Sequence, residues 1–195
     1  MSDHSGVNLL DFDHTIYDGD STLDFYFFCI QNRPFLLVFL PYQVLHAILF
    51  FAKLQSRTAF KDRFMVFIRH VPDLEGLVMR FWQEKGSRRV KKWYKERDRS
   101  KDVIVSASPD FLLKQVASDL GVMKLIATRV DLSSGRIIGH NCYGSEKVRR
   151  IHEEMANESI NETFSDHVSD EPLLQLGREA FIVKGETLTR YRPKS

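Results

Sequence analysis

Apolar runs at 7–12, 103–106, 125–130, 163–164 and 180–183 alternate with helix-length stretches such as 111–120 and 146–155, which predicts a parallel β-sheet covered by helices. Open sheets of that kind bind ligands beyond the carboxyl ends of their strands. There the first run ends in acids, Asp11 and Asp13 of Leu9-Leu10-Asp11-Phe12-Asp13-His14-Thr15-Ile16-Tyr17-Asp18-Gly19-Asp20. Strand alternation would send both carboxylates to one face, an arrangement that suits a divalent metal, a nucleophile or an acid–base pair. For this run alone, an Asp-rich turn capping the next helix is the plainer alternative.

Three later segments occupy comparable positions. Val103-Ile104-Val105-Ser106-Ala107-Ser108 is an apolar strand ending in a hydroxyl residue, and Gly144-Ser145-Glu146-Lys147 sets a lysine in the first turns of a helix. Ser165-Asp166-His167-Val168-Ser169-Asp170 supplies two acids four apart. In isolation Ser106 would be an ordinary strand-end serine and Lys147 an exposed helix lysine. Taken in order, the four segments resemble the four signatures of the haloacid dehalogenase-like (HAD) phosphohydrolases, with the phosphoserine-phosphatase-like branch as the best fit. The resemblance implies a Rossmann-like α/β core at 1–18 and 100–195, with a helical cap at 19–99 inserted between the first and second motifs.

It also implies roles. Asp11 would attack phosphorus and form an aspartyl-phosphate, and Asp13 would protonate the leaving oxygen and then deprotonate the attacking water. Ser106 and Lys147 would hold the phosphoryl group. Mg²⁺ would sit on Asp11, Asp166 and the Asp13 carbonyl, with Asp170 beside it orienting bound water or Lys147. Substrate contacts are expected at Thr15 and Ala107, and at Asp20 or Asp24 with Arg63 or Arg57, imitating the carboxylate and cap arginine with which phosphoserine phosphatases read an amino acid. The second aspartate favours phosphoryl transfer over dehalogenation, because attack on carbon leaves no alkoxide to protonate. A cap favours water as the acceptor, hence hydrolysis over phosphomutase chemistry. His14 and His167 depart from the small residues usual at those places; either would crowd the metal site, contact substrate or simply face solvent, and the last is the plainer expectation.

With 195 residues, 43% hydrophobic and 28% charged, the chain can bury a sizeable core, and a net charge of +2 does not suggest a nucleic-acid partner. Cys29 and Cys142 lack metal-ligand or CxxC spacing, which predicts reduced thiols in a cytoplasmic protein. The polar opening Met1-Ser2-Asp3-His4-Ser5-Gly6 lacks a leader's basic and apolar regions.

Residues 34–54 carry no acid and approach the ~20 residues that span a bilayer, but Pro41, Gln43 and His46 weaken a simple span, so a helical hairpin, buried or membrane-facing, is expected. The cap is unusually rich in phenylalanine, as a lipid-facing surface, a packed interior or a homodimer contact would each require. The basic run 85–101, with Trp93-Tyr94 inside it, reads either as a solvated helix or as a segment resting on an anionic membrane. Together these features are similar to a bacterial phosphatidylglycerophosphate phosphatase. The expected partner is a phosphorylated small molecule or a lipid phosphate; the non-enzymatic alternative is a catalytically silent HAD-like binding module.

Overall fold

The protein is described by a computed structural model covering residues 6–192; the polar opening at 1–5 lies outside the described residues. Six strands form one sheet in the order β3-β2-β1-β6-β7-β8: β1 Val7–Leu10, β2 Asp102–Pro109, β3 Lys124–Thr128, β6 Ile160–Ser165, β7 Glu179–Lys184 and β8 Thr187–Arg190. The pairings are parallel except for β7 with β8. Strand β1 is central, with Leu9 in register with Val103 on one side and Thr163 on the other. The ends of the three motif-bearing strands are therefore neighbours, although their residues lie far apart in the chain.

Strand β1 is buried along its whole length, as expected where helices cover both faces and no polar alternation is required. Consecutive residues still point oppositely. Leu10 and Ile104 pack with Phe25, Phe81, Leu112 and Leu113, while Leu9 and Val103 pack with Ile126, Ile151 and Leu173. The first cluster is covered by α1 Ser21–Asn32, α4 Leu74–Glu84 and α6 Asp110–Asp119, the second by α7 Ser145–Glu154 and α8 Glu171–Leu174. Within the first layer Trp82 ties α4 to α6, its indole donating to the Leu112 carbonyl at 2.7 Å.

Between β1 and β2 the chain also forms α2 Leu40–Phe51, α3 Arg57–Phe64 and the short α5 Lys92–Lys95, with 3-10 segments before α2, after α3 and before α5. Asp20 caps α1 by accepting from the Leu23 amide, and Ser56 caps α3 by accepting from the Ala59 amide. The 3-10 turn Pro34–Phe39 runs into α2, and 52–56 leads back into α3, where Phe60 stacks on Phe50 with ring centroids 5.1 Å apart. Residues 34–51 therefore form one continuous helical arm rather than the hairpin expected within 34–54; the returning arm is α3, and the first arm is not buried. The 18-residue stretch Pro34–Phe51 is apolar and long enough to cross a membrane, yet only 11% of it is buried.

The basic run does not form one solvated helix. It breaks into the 3-10 turn Gly86–Arg89 and α5, and part of its charge is turned inward. Lys91 is buried and its ammonium donates to the His14 carbonyl, Arg89 pairs with Asp24, and Arg97 pairs with Asp102 and Glu162. A tight turn through Ser133, Ser134 and Gly135 joins β4 Val130–Asp131 to β5 Arg136–Ile137. Gly135 is required there: its φ is 71°, and a Cβ would lie 2.8 Å from the Met65 carbonyl.

Candidate active site

The carboxyl ends of β1, β2 and β6 open into a cavity of about 690 Å³, lined by Asp11, Asp13, Asp20, Ser106, Ala107, Lys147, Asp166 and Asp170 among others. Asp11 follows the last residue of β1 and Asp166 the last residue of β6, while Ser106 lies within β2. Lys147 is the third residue of α7, whose first turn faces the strand ends. Its side chain is only 2% exposed, and its Nζ bridges Asp11 Oδ1 at 2.7 Å and Asp170 Oδ2 at 2.6 Å. Burial acts to lower the Lys147 pKa, but the charges of Asp11 and Asp170 outweigh it and hold the ammonium protonated above its ordinary range. The Ser165 hydroxyl donates to the same Asp170 oxygen at 3.2 Å, so Asp170 positions the lysine.

Asp11 shows the opposite balance. Burial pushes its carboxyl up to about 7, assisted by the charges of Asp170 and Asp13 and opposed by Lys147. One ammonium does not neutralise this group of acids. Asp13 is raised as well, first by burial and then by Asp20, although the Ser21 amide donates to its Oδ1 at 2.8 Å and the Ser108 hydroxyl donates to its Oδ2. A carboxyl held above its ordinary range is suited to carry a proton near neutral pH.

Asp166 lines the cavity with its carboxylate in no hydrogen bond or ion pair among the described residues. With Asp11 and the Asp13 carbonyl it offers an oxygen-only donor set. Among the described residues no three His, Cys, Asp or Glu side chains form a closed cage. Few carboxylates, hard oxygen donors and uncompensated negative charge fit Mg²⁺, which keeps several waters and is held by one or two carboxylates plus substrate phosphate.

Of the expected substrate contacts, Asp20 and Ala107 line the cavity, as does Arg57. Two others do not reach it. Thr15 is fully buried beneath the loop, with Trp93 donating to its carbonyl at 3.3 Å. Arg63 donates to the Ala59 carbonyl and lines a separate hollow with Ser56 and Arg136. Its position explains this: two residues along a helix rotate a side chain by about 200°, so Arg63 turns away when Lys61 faces the cavity. Asp24, the alternative to Asp20, is occupied by the Tyr17 hydroxyl and Arg89.

His14 and His167 are exposed and line the cavity. His14 adopts φ 59°, and His167 Nδ1 accepts from the Ser169 amide at 3.0 Å. Ser108 and Lys61 also line the cavity, although neither stands out in the motifs. The second hydroxyl of Ser106-Ala107-Ser108 and the position of Lys61 four residues after Arg57 were the available signals.

Comparison with known proteins agrees with this architecture. A Bordetella pertussis protein of unknown function superposes with a TM-score of 0.71 at 18% identity, covering 89% of this chain and 87% of that one. A phosphoserine phosphohydrolase-like protein from Francisella tularensis gives 0.58 at 14% identity, over 90% and 85% of the two chains. At such identities the likeness is one of fold. Protein CicA of Caulobacter vibrioides is 33% identical over 122 residues, 60% of this chain and 47% of the relative, so the match spans about half of that protein. Residues 9–175 match the haloacid dehalogenase-like hydrolases, and by that match over most of its length the chain belongs to this family.

Proposed function

We propose that this protein is a Mg²⁺-dependent phosphatase that hydrolyses a phosphate monoester through an aspartyl-phosphate on Asp11. The observation that carries the reading is the Lys147 bridge between Asp11 and Asp170, in the cavity that also holds Asp13 and Ser106. Lys147 fixes the Asp11 carboxylate by one oxygen while its charge opposes the repulsion between carboxylate and phosphate. In the first step an Asp11 oxygen bonds to phosphorus, the bond from phosphorus to the ester oxygen breaks, and Asp13 gives its proton to the departing alcohol. Water then attacks phosphorus while Asp13 takes its proton. The bond to Asp11 breaks, and inorganic phosphate leaves. Ser106, buried within β2 and lining the cavity, is placed to hydrogen-bond a phosphoryl oxygen. Mg²⁺ bound by Asp11, Asp166 and the Asp13 carbonyl would supply electrostatic stabilisation of the transferring phosphoryl group.

Hydrolysis of p-nitrophenyl phosphate should accordingly be abolished by EDTA and restored by Mg²⁺. Asp166→Asn should raise the Mg²⁺ concentration needed for half-maximal activity by about tenfold or more, a range typical of weakened metal sites. Full activity in excess EDTA would contradict the reading.

A second reading, hydrolysis of a lipid phosphate at the cytoplasmic face of a membrane, is favoured by the hairpin. Phe50 of α2 lines the catalytic cavity, while Val38, Ile48, Phe51 and Leu54 of the same segment are exposed, Phe51 by 79%. An apolar surface continuous with the cavity wall is the geometry that a bilayer-borne substrate requires. The triple variant Val38→Ser, Ile48→Ser, Phe51→Ser should lose sedimentation with phosphatidylglycerol vesicles while retaining the wild-type melting temperature, because these side chains contribute little to the core. A wild-type protein that ignores vesicles would leave the soluble-substrate reading in place.

A further inference from the structure

Strand β2 is irregular where it meets the cavity. Ser106 lies opposite Ala127 of β3 and Pro109 opposite Thr128, so β2 advances three residues while β3 advances one. An irregularity of this kind re-aims side chains, and it is common beside active sites. Ser106, Ala107 and Ser108 all line the cavity there, and Ser108 is 1% exposed.

Ser108 touches both halves of the chemistry. Its amide donates to Ser106 Oγ at 3.0 Å, which fills an acceptor position of that hydroxyl and leaves its hydrogen for a phosphoryl oxygen. Its own hydroxyl donates to Asp13 Oδ2, and lies 2.9 Å from Thr22 Oγ1 and 3.3 Å from Ser21 Oγ. A serine hydroxyl has one hydrogen and two lone pairs. With the hydrogen given to Asp13, Thr22 and Ser21 donate to the lone pairs, and the first turn of α1 holds the group in one orientation.

Asp13 stands in the loop after β1, and a carboxyl plane turns easily about its last bond. Two donors from different elements stop that rotation. The amide of Ser21, the first residue of α1, holds Oδ1 at 2.8 Å, and Ser108 of β2 holds Oδ2. Each occupies one lone pair of its oxygen, so the remaining lone pairs are left to carry a proton. We propose that Ser108 is a positioning residue for the acid–base chemistry: by fixing the plane of Asp13 it aims the carboxyl at the ester oxygen, and its effect is greatest where the leaving alcohol must be protonated. The proposal rests on the phosphatase reading of the same cavity. In the step concerned an Asp11 oxygen bonds to phosphorus as the bond from phosphorus to the ester oxygen breaks, and the Asp13 proton moves to that oxygen. A nitrophenolate leaves as a stabilised anion and needs little of that proton. A benzyl alkoxide is strongly basic and needs it fully.

The test measures kcat/KM, with Mg²⁺ present, for p-nitrophenyl, phenyl and benzyl phosphate, which are similar in size and differ in the basicity of the leaving oxygen. Misplacing a catalytic group by about 1 Å can cost about 100-fold, so Ser108→Ala should widen the ratio of p-nitrophenyl to benzyl phosphate by about tenfold or more over wild type, with phenyl phosphate between. The Ser108 amide is kept in that variant, so the hold on Ser106 remains. Thr22→Val, which removes a donor to Ser108, should widen the ratio in the same direction by a smaller factor. Should the melting temperature show that Ser108→Ala does not fold, Thr22→Val decides alone. A ratio equal to that of wild type, whether activity is kept or lost equally on all three substrates, overturns the role of Ser108 and leaves the phosphatase reading intact, since the hydroxyl would then serve the fold or the phosphoryl group. A wild type inactive on all three removes the phosphatase reading, and this role with it.

Discussion

Asp11→Asn is expected to lower phosphatase turnover by on the order of 10⁴-fold or more, the scale seen when the nucleophile of a covalent enzyme is removed. The amide keeps the size of the carboxylate and still offers Lys147 an oxygen, but it cannot form the aspartyl-phosphate. The same variant should not be less stable. Burial holds the Asp11 pKa at about 7, well above the ordinary carboxylate range, so the folded state disfavours the charged form. A carboxyl raised on folding removes stability progressively as pH rises from about 4 through 7. Asparagine carries no such penalty, so at pH 8 in EDTA the variant should melt at or above the wild-type temperature. Steady-state assays and thermal melts on one preparation check both statements. Residual activity within a hundredfold of wild type would rule out Asp11 as the nucleophile.

Removal of Lys147 should damage catalysis and stability together. Lys147→Met leaves Asp11 and Asp170 facing one another in a buried site without the ammonium that lies 2.7 and 2.6 Å from them. Breaking a buried ion pair from one side costs about 3–5 kcal/mol. For a domain of this size each kcal/mol lowers the melting temperature by roughly 2–4 °C. The deficit should depend on pH. Without the lysine the Asp11 carboxyl is raised further on folding, so it destabilises the variant when ionised and ceases to do so when protonated. The gap in melting temperature from wild type should therefore be larger at pH 8 than at pH 5, measured in EDTA. Turnover should fall by about 10³-fold, as when an electrostatic stabiliser of the transition state is lost. A gap that widens toward pH 5 would contradict the assignment of Lys147 as the counter-ion.

Asp170 shows how two remote motifs become one device. In sequence it is the second of two acids four apart, with either metal-bound water or Lys147 as its expected partner. It lies against the lysine, because β6 ends beside β1 and the turn at Val168–Asp170 returns the carboxylate to α7. Strand β8 illustrates a different difficulty: all four of its residues are exposed, so no apolar run marked it. It forms because Gly185 adopts φ 58° in the turn after β7 and lets the chain pair back antiparallel.

What the sequence by itself determined is the alternation of strands and helices and the placement of chemical residues at strand ends and a helix start. Those features are local, written in apolar runs and in the residue types that follow them. Which faces the helices between β1 and β2 would present was decided by tertiary packing. Lys61 and Arg63 are two residues apart and alike in charge, yet one enters the cavity and the other turns to a separate hollow. Lys91 lies in a run of basic residues but is buried beneath the loop that carries His14. Charge is a property of the residue. Its direction depends on how the helix rotates to bury its neighbours, and that rotation is set by contacts with segments distant in the chain.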